Sequence, residues 1–191
     1  MPPNTQRLFF AIPLSDELQI QLINTIKTLH KHKTGHQIKW TPSEKLHVTL
    51  RFLGATKIEK IPDCIKLIES QIENLTAFSL SMGQLVTLPK KFPRIIALAV
   101  PITFELAKLF QTLEQSLISL GFTPEPRPFF PHITLGRARG GKISLPLLLE
   151  DYALPEFSPF KVKYIHLLQS ETKPEGSIYT LVKKFNLAEN Q

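Results

Sequence analysis

The sequence predicts an α+β protein of two pseudo-symmetric lobes, each an antiparallel-rich sheet with covering helices, with a cleft between them. Segments of strand and helix periodicity alternate in both halves of the chain. The pattern His-x-Thr-Leu also occurs once in each half, at 47–50 and 132–135, both times where a strand is expected. The length of 191 residues suits one bilobal domain, residues 1–191.

The first half is predicted to begin with a strand at Arg7–Ile12 and a helix with Ser15 as its N-cap. Leucine and isoleucine recur at helical spacing after Ser15, and Gly35 can end that helix. The elements predicted next are a brief strand at Ile38–Trp40, the first motif strand at Leu46–Leu53 ending at Gly54, and a helix over Ile58–Ile72.

The second half repeats this arrangement with a different loop pattern. Four prolines between 124 and 131 keep the approach to the second motif extended. The predicted elements are strands at Phe78–Val86 and Ile95–Val100, a helix over Leu106–Leu120 ended by Gly121, the motif strand His132–Arg137, and a closing hairpin of Phe160–Leu168 and Ile178–Phe185.

Composition limits the class of protein. The apolar stretch Leu8–Leu14 is too short to span a membrane and lacks the flanks of a signal peptide. A single cysteine, Cys64, excludes an internal disulfide, and we expect a cytoplasmic monomer. The net charge of +7 favours a polyanionic partner such as nucleic acid.

The repeated motif has a geometric meaning. Alternate side chains of a strand share a face, so the His and the Thr of each copy point one way while the two aliphatic residues point the other. With only six histidines in the chain, composition predicts roughly 0.07 chance matches to this pattern. Two copies therefore indicate a shared site rather than coincidence.

Two imidazoles on opposite walls of a cleft suit in-line displacement at phosphorus, where one accepts a proton and the other donates one. The neighbouring threonines can donate hydrogen bonds to the non-bridging oxygens, where negative charge is held during reaction. Two histidines without a converging cysteine or acidic cluster are too few ligands for zinc. We therefore predict that the site needs no metal.

The chain resembles the 2H phosphoesterase superfamily, and within it the bacterial and archaeal RNA 2′,3′-cyclic phosphodiesterases historically called 2′-5′ RNA ligases. The resemblance covers nearly the whole chain. The residues that carry it are Arg7–Ile12, Trp40, His47–Gly54, Phe130–Arg137, Ser170, Gly176 and Tyr179.

The resemblance implies opening of a terminal 2′,3′-cyclic phosphate on RNA to a 2′-phosphomonoester, without metal or nucleotide cofactor. It makes His47 the proton donor to the departing 3′ oxygen and His132 the acceptor that activates water. Phosphate binding is expected from Thr49, Thr134 and Arg137, whose guanidinium can form bidentate hydrogen bonds.

Contacts to the bases are less defined. Relatives often carry Trp and Gly where this chain has Ala97 and Ala99, which leaves the source of base stacking open. The candidates for base or RNA contact are Phe9, Phe130, Arg51 and Tyr179, with Arg51 placed on the face of His47 by strand alternation.

The residues alone leave other functions open. The same site could act on other phosphodiesters, or join RNA ends as a 2′-5′ RNA ligase. An RNA-end binding module, in which the histidines hold phosphate without turnover, would show salt-dependent binding and no hydrolysis.

Overall fold

The computed structural model describes residues 4–32, 34–140, 152–153, 155–174 and 176–189 of the predicted 1–191 domain. Its helices are α1 Asp16–Lys31, α2 Ile61–Ile72 and α3 Phe104–Ser119. Its strands are β1 Thr5–Pro13, β2 Ile38–Trp40, β3 His47–Lys57, β4 Phe78–Leu80, β5 Leu85–Leu88, β6 Ile95–Ala99, β7 His132–Ala138, β8 Phe160–Val162, β9 Tyr164–Lys173 and β10 Gly176–Asn186.

Eight strands form one antiparallel sheet in the order β10-β9-β1-β3-β7-β6-β5, with β2 beside β7. The strands β4 and β8 form a separate pair. The α+β class and the antiparallel character are confirmed. The two halves share a continuous sheet, because the two motif strands pair with each other at Val48 and Ile133.

The two motif strands have the same local structure. Their first seven residues show the same alternation of buried and half-buried positions, including two consecutive buried residues at positions four and five. Position four is a β-bulge in both strands: Leu50 is unpaired against β1, and Leu135 is unpaired against β6. This equivalence supports the predicted pseudo-symmetry at the level of individual residues.

The core lies between one face of the sheet and the helices. Ser15 caps α1 by accepting a hydrogen bond from Leu18 N at 3.3 Å, and Thr103 caps α3 in the same way at 3.2 Å. The aliphatic residues of both motifs are buried in one continuous core with the inner faces of the helices. The His and the Thr of both motifs are half-buried on the opposite face of the sheet.

Several predicted boundaries differ from the structure. The single strand predicted at Phe78–Val86 is wrong, because its two parts join different sheets: β4 pairs with β8, and β5 pairs with β6. The motif strand β3 continues through Gly54, whose φ of +70° accommodates an irregularity in the sheet. The second helix begins at Ile61, after a 3-10 turn at Ile58–Lys60.

In the part of the chain that the structure describes, no helix is both long and apolar enough to cross a membrane.

Candidate active site

The two motifs are adjacent because β3 and β7 pair at Val48 and Ile133. Cross-strand neighbours share a face, so the residues that flank this buried pair lie together on the opposite face. In an antiparallel arrangement His47 lies on the side of Thr134, and Thr49 lies on the side of His132. Thr49 and His132 line the same pocket. The structure thus brings together the four motif side chains that the sequence singled out.

Both imidazoles are held in the same way. His47 places Nδ1 2.7 Å from the carbonyl oxygen of Lys45, and His132 places Nδ1 2.8 Å from the carbonyl oxygen of Phe130. A carbonyl oxygen only accepts, so each Nδ1 carries the hydrogen. Each Nε2 is left for proton transfer, and that of His47 lies 3.0 Å from Thr49 Oγ1.

The surroundings of His47 change its acidity. Burial lowers the pKa of His47 below its usual value, the hydrogen bond to the Lys45 carbonyl acts in the opposite direction, and the charge of His132 adds to the lowering. Two aromatic rings enclose the imidazole: that of Phe9 at 5.2 Å and that of Tyr179, edge-on, at 5.5 Å between centroids. His47 therefore holds its second proton less strongly than an imidazole in water.

A pocket of about 460 Å³ opens beside the motifs. Its size lies in the range of small-molecule binding sites. Its walls combine apolar and aromatic side chains with a few polar groups, a composition typical of ligand-binding pockets. The lining residues are Thr49, Leu50, Phe52, Leu88, Pro89, Ile95, Phe110, Glu125, Arg127, Pro128, Phe129, Phe130 and His132.

The predicted RNA contacts have different surroundings. Phe130 is 49% exposed and its ring lies 5.9 Å from that of His132, so it is accessible at the rim of the pocket. Tyr179 is half-buried against His47. The prediction for Phe9 is wrong, because its ring is only 2% exposed and packs against the imidazole of His47.

The prediction for Arg51 is also wrong. The bulge at Leu50 reverses the alternation of β3, so Arg51 lies on the core side rather than beside His47. It is 7% exposed, and its Nε lies 2.5 Å from Glu114 Oε2. Its terminal nitrogens donate to the backbone oxygens of Phe52 and Thr123. These contacts leave the guanidinium unavailable to RNA.

The same bulge exposes a residue that the sequence analysis missed. Phe52 returns to the face of His47, is 52% exposed, lines the pocket and contacts Phe9 at 5.6 Å between ring centroids. Arg137 is its equivalent in β7, exposed five residues after His132. The shared spacing from the two histidines is the signal that could have identified Phe52.

Small residues lie beside the motif threonines. Ala11 of β1 pairs with Thr49, and Ala97 of β6 pairs with Thr134. Both alanines are fully buried, and Ala99 pairs with His132. Ala97 and Ala99 therefore form part of the sheet beneath the site and present no aromatic ring to it.

Among the described residues, no group of three or more His, Cys, Asp or Glu side chains is arranged to hold a metal ion.

Comparison with known sequences identifies relatives along most of the chain. The profile of the 2′-5′ RNA ligase superfamily matches residues 14–174. The chain is 30% identical over 177 residues to the RNA 2′,3′-cyclic phosphodiesterase of Thermotoga maritima, covering 92% of each protein. It is 29% identical over 182 residues to a protein of the same name from Methanocaldococcus jannaschii, covering 94% of this chain and 99% of that one.

Solved structures show the same fold. A Thermus thermophilus protein matches with a TM-score of 0.80 and 26% identity, covering 97% of this chain and 100% of that one. Escherichia coli LigT in its apo form matches with a TM-score of 0.79 and 26% identity, covering 96% of this chain and 98% of that one. This chain belongs to the 2′-5′ RNA ligase superfamily, in agreement with its resemblance to the 2H phosphoesterases.

Proposed function

We propose that this protein hydrolyses the 2′,3′-cyclic phosphate end of RNA to a 2′-phosphomonoester. The observation that carries the proposal is the pairing of Val48 with Ile133, which sets two imidazoles with the same tautomer on one face of adjacent strands. Relatives named RNA 2′,3′-cyclic phosphodiesterase, at about 30% identity over most of the chain, support this activity.

In the proposed reaction His132, neutral and protonated at Nδ1, accepts a proton from water at Nε2. The oxygen of that water attacks phosphorus, and the bond from phosphorus to the 3′ oxygen breaks. His47, protonated on both nitrogens, gives its Nε2 proton to the departing 3′ oxygen. The products are a 2′-phosphomonoester and a 3′ hydroxyl, and the two histidines have exchanged charge states.

Binding of the phosphate is assigned to three side chains. Thr49 and Thr134 would donate their hydroxyl hydrogens to the non-bridging oxygens. Arg137, exposed on the same face after the bulge, would add charge-assisted hydrogen bonds. The anion would also favour the protonated form of His47, opposing the effect of burial on its pKa.

We also propose the oligomeric state, the partner and the compartment of the protein. Residues 1–191 act as one bilobal domain and as a monomer, with RNA as partner and with neither metal nor cofactor, since the two histidines supply both proton transfers. The single, buried Cys64 offers no disulfide, which suits the reducing cytoplasm.

The test is hydrolysis of RNA with a 2′,3′-cyclic phosphate end in the presence of chelator. We expect turnover to a 2′-phosphate, reduced at least about 10²-fold in His47→Ala and in His132→Ala, the usual contribution of general acid–base catalysis. Near-normal turnover of both variants would exclude the proposed roles. Joined RNA ends as main product would favour the ligase, and tight binding without any turnover would favour the binding module.

A further inference from the structure

The pocket beside the motifs contains one exposed cation that the proposed chemistry does not use. Arg127 lines this pocket together with Thr49 and His132, and its side chain is 77% exposed. It lies in the proline-rich approach to β7, five residues before His132. Five extended residues span at most about 17 Å, so the length of this segment allows Arg127 to lie well apart from His132.

Arg127 is oriented despite its exposure. Its Nε lies 2.9 Å from Glu125 Oε1, and the backbone N of Glu125 donates to Glu114 Oε1 at 2.7 Å. Arg51 holds Glu114 from the core side and places a terminal nitrogen 3.6 Å from Glu125 Oε2. A buried ion pair therefore supports the carboxylate that directs Arg127 into the pocket.

The charges of this cluster are balanced. Two arginines face two glutamates, so each carboxylate already has a cationic partner. The terminal nitrogens of Arg127 have no partner among the described residues, since only its Nε contacts Glu125. These donors form a planar fork that suits a phosphodiester.

We propose that Arg127 binds the phosphate on the 5′ side of the terminal nucleotide, while the nucleoside lies in the pocket between Arg127 and the histidine pair. The inference rests on the proposed function, because it needs a cyclic phosphate held at His47 and His132. RNA carries this 5′ phosphate, whereas a nucleoside 2′,3′-cyclic phosphate has a free 5′ hydroxyl. Arg127 thus makes the site selective for ends of RNA over cyclic mononucleotides.

The experiment compares two substrates that differ by one group: a nucleoside 2′,3′-cyclic phosphate with a 5′ hydroxyl, and the same compound with a 5′ phosphate. In Arg127→Ala we expect the ratio of kcat/KM for the second over the first to fall about tenfold, the usual effect of a lost charge-assisted hydrogen bond. Lys66→Ala, which removes an exposed charge from α2 outside the pocket, should leave the ratio at its wild-type value.

Product binding gives a second measurement that does not depend on turnover. Calorimetry should show that Arg127→Ala weakens binding of a nucleoside 2′,5′-bisphosphate about tenfold more than binding of the 2′-monophosphate. Equal effects on both ligands, or on both substrates, would overturn the assignment of Arg127 while leaving the phosphodiesterase intact. Failure of the wild type to hydrolyse either substrate would instead count against the proposed function, and calorimetry would still decide the role of Arg127.

Discussion

Phe52 and Arg137 occupy equivalent positions in the two halves of the sheet. Each lies five residues after a motif histidine and two residues after the unpaired bulge residue, and each is exposed on the face that bears the imidazoles. One position carries an aromatic ring and the other a guanidinium. The pseudo-symmetric halves therefore differ in the chemistry that they present at this position, an aromatic ring in β3 and a cation in β7.

The first prediction concerns Phe52. Its exposed ring lines the pocket and packs against the buried ring of Phe9. Stacking of a base on an aromatic ring contributes about 1–3 kcal/mol, so Phe52→Ala should raise KM for a cyclic nucleotide about tenfold and change kcat much less. Phe52→Tyr retains the stacking face and should stay near wild type. Steady-state kinetics checks both variants, and an unchanged KM in Phe52→Ala would exclude stacking on this ring.

The second prediction is the pH dependence of the reaction. As proton donor, His47 must be protonated, and burial lowers its pKa below 6.5. The value of kcat/KM, which reports on the free enzyme, should therefore fall as the pH rises through that lowered pKa. The fall in kcat should come at higher pH, because the bound phosphate raises the pKa of His47.

A pair of variants tests the cause of this shift. Tyr179→Ala opens the His47 ring to water and should move the falling limb of kcat/KM to higher pH. Tyr164→Ala is the control, because Tyr164 stacks on His166, away from His47. NMR titration of His47 provides the direct pKa. A falling limb that stays in place in Tyr179→Ala would contradict the assignment of His47 as donor.

The third prediction concerns the buried Arg51, which joins β3 to α3 and to the segment that leads to His132. Arg51→Ala leaves Glu114, only 16% exposed, without its cationic partner and should lower the free energy of unfolding by about 3–5 kcal/mol. Arg51→Lys cannot reproduce the several directed hydrogen bonds and should also be destabilised. Urea denaturation measures both changes.

An exposed pair provides the matched control. Lys57 and Glu59 lie 3.4 Å apart with exposed fractions of 68% and 73%. Solvent screens such a pair, so Lys57→Ala should change stability by less than about 1 kcal/mol. Equal losses for Arg51→Ala and Lys57→Ala would show that the Arg51 cluster has no structural role.

The position of Arg51 could not be predicted correctly from the sequence. Strand alternation correctly placed His47 and Thr49 on one face, because the side-chain period of a strand is two residues. One unpaired residue at Leu50 reverses that alternation, and a bulge follows from how two strands pair rather than from residue types. Because of the same bulge, strand alternation did not place Phe52 on the face of His47. The spacing of Phe52 from His47 nevertheless equals that of Arg137 from His132.

The pairing of strands that are distant in the sequence was the second feature that could not be predicted. The sequence signals indicated strands and helices in the right order, yet the segment Phe78–Val86 splits between two sheets. Hydrophobic periodicity reports burial of a segment and not its partner. The pairing of Val48 with Ile133, which joins the two lobes, likewise could not be predicted from the sequence of either strand alone.

The final prediction concerns Gly136, the residue after the bulge in β7. A Cβ at this position would lie 2.5 Å from Ile38 Cγ2 and 3.0 Å from Trp40 Cε3, because β2 lies directly beside it in the sheet. Gly136→Ala should therefore lower the free energy of unfolding by about 1–3 kcal/mol through overpacking. Trp40 is the single tryptophan of the chain, so its fluorescence reports directly on displacement of β2.

Gly121→Ala is the control for Gly136→Ala, because it introduces backbone strain without a steric contact. Gly121 has a φ of +79° and open space around the position of a Cβ, so its substitution should cost about 1–2 kcal/mol without changing the Trp40 spectrum. In Gly136→Ala the spectrum should shift, and kcat/KM should fall with it, because Thr134 lies two residues away on the same strand. A folded Gly136→Ala protein with wild-type stability and an unshifted spectrum would show that β2 accommodates the methyl group without moving.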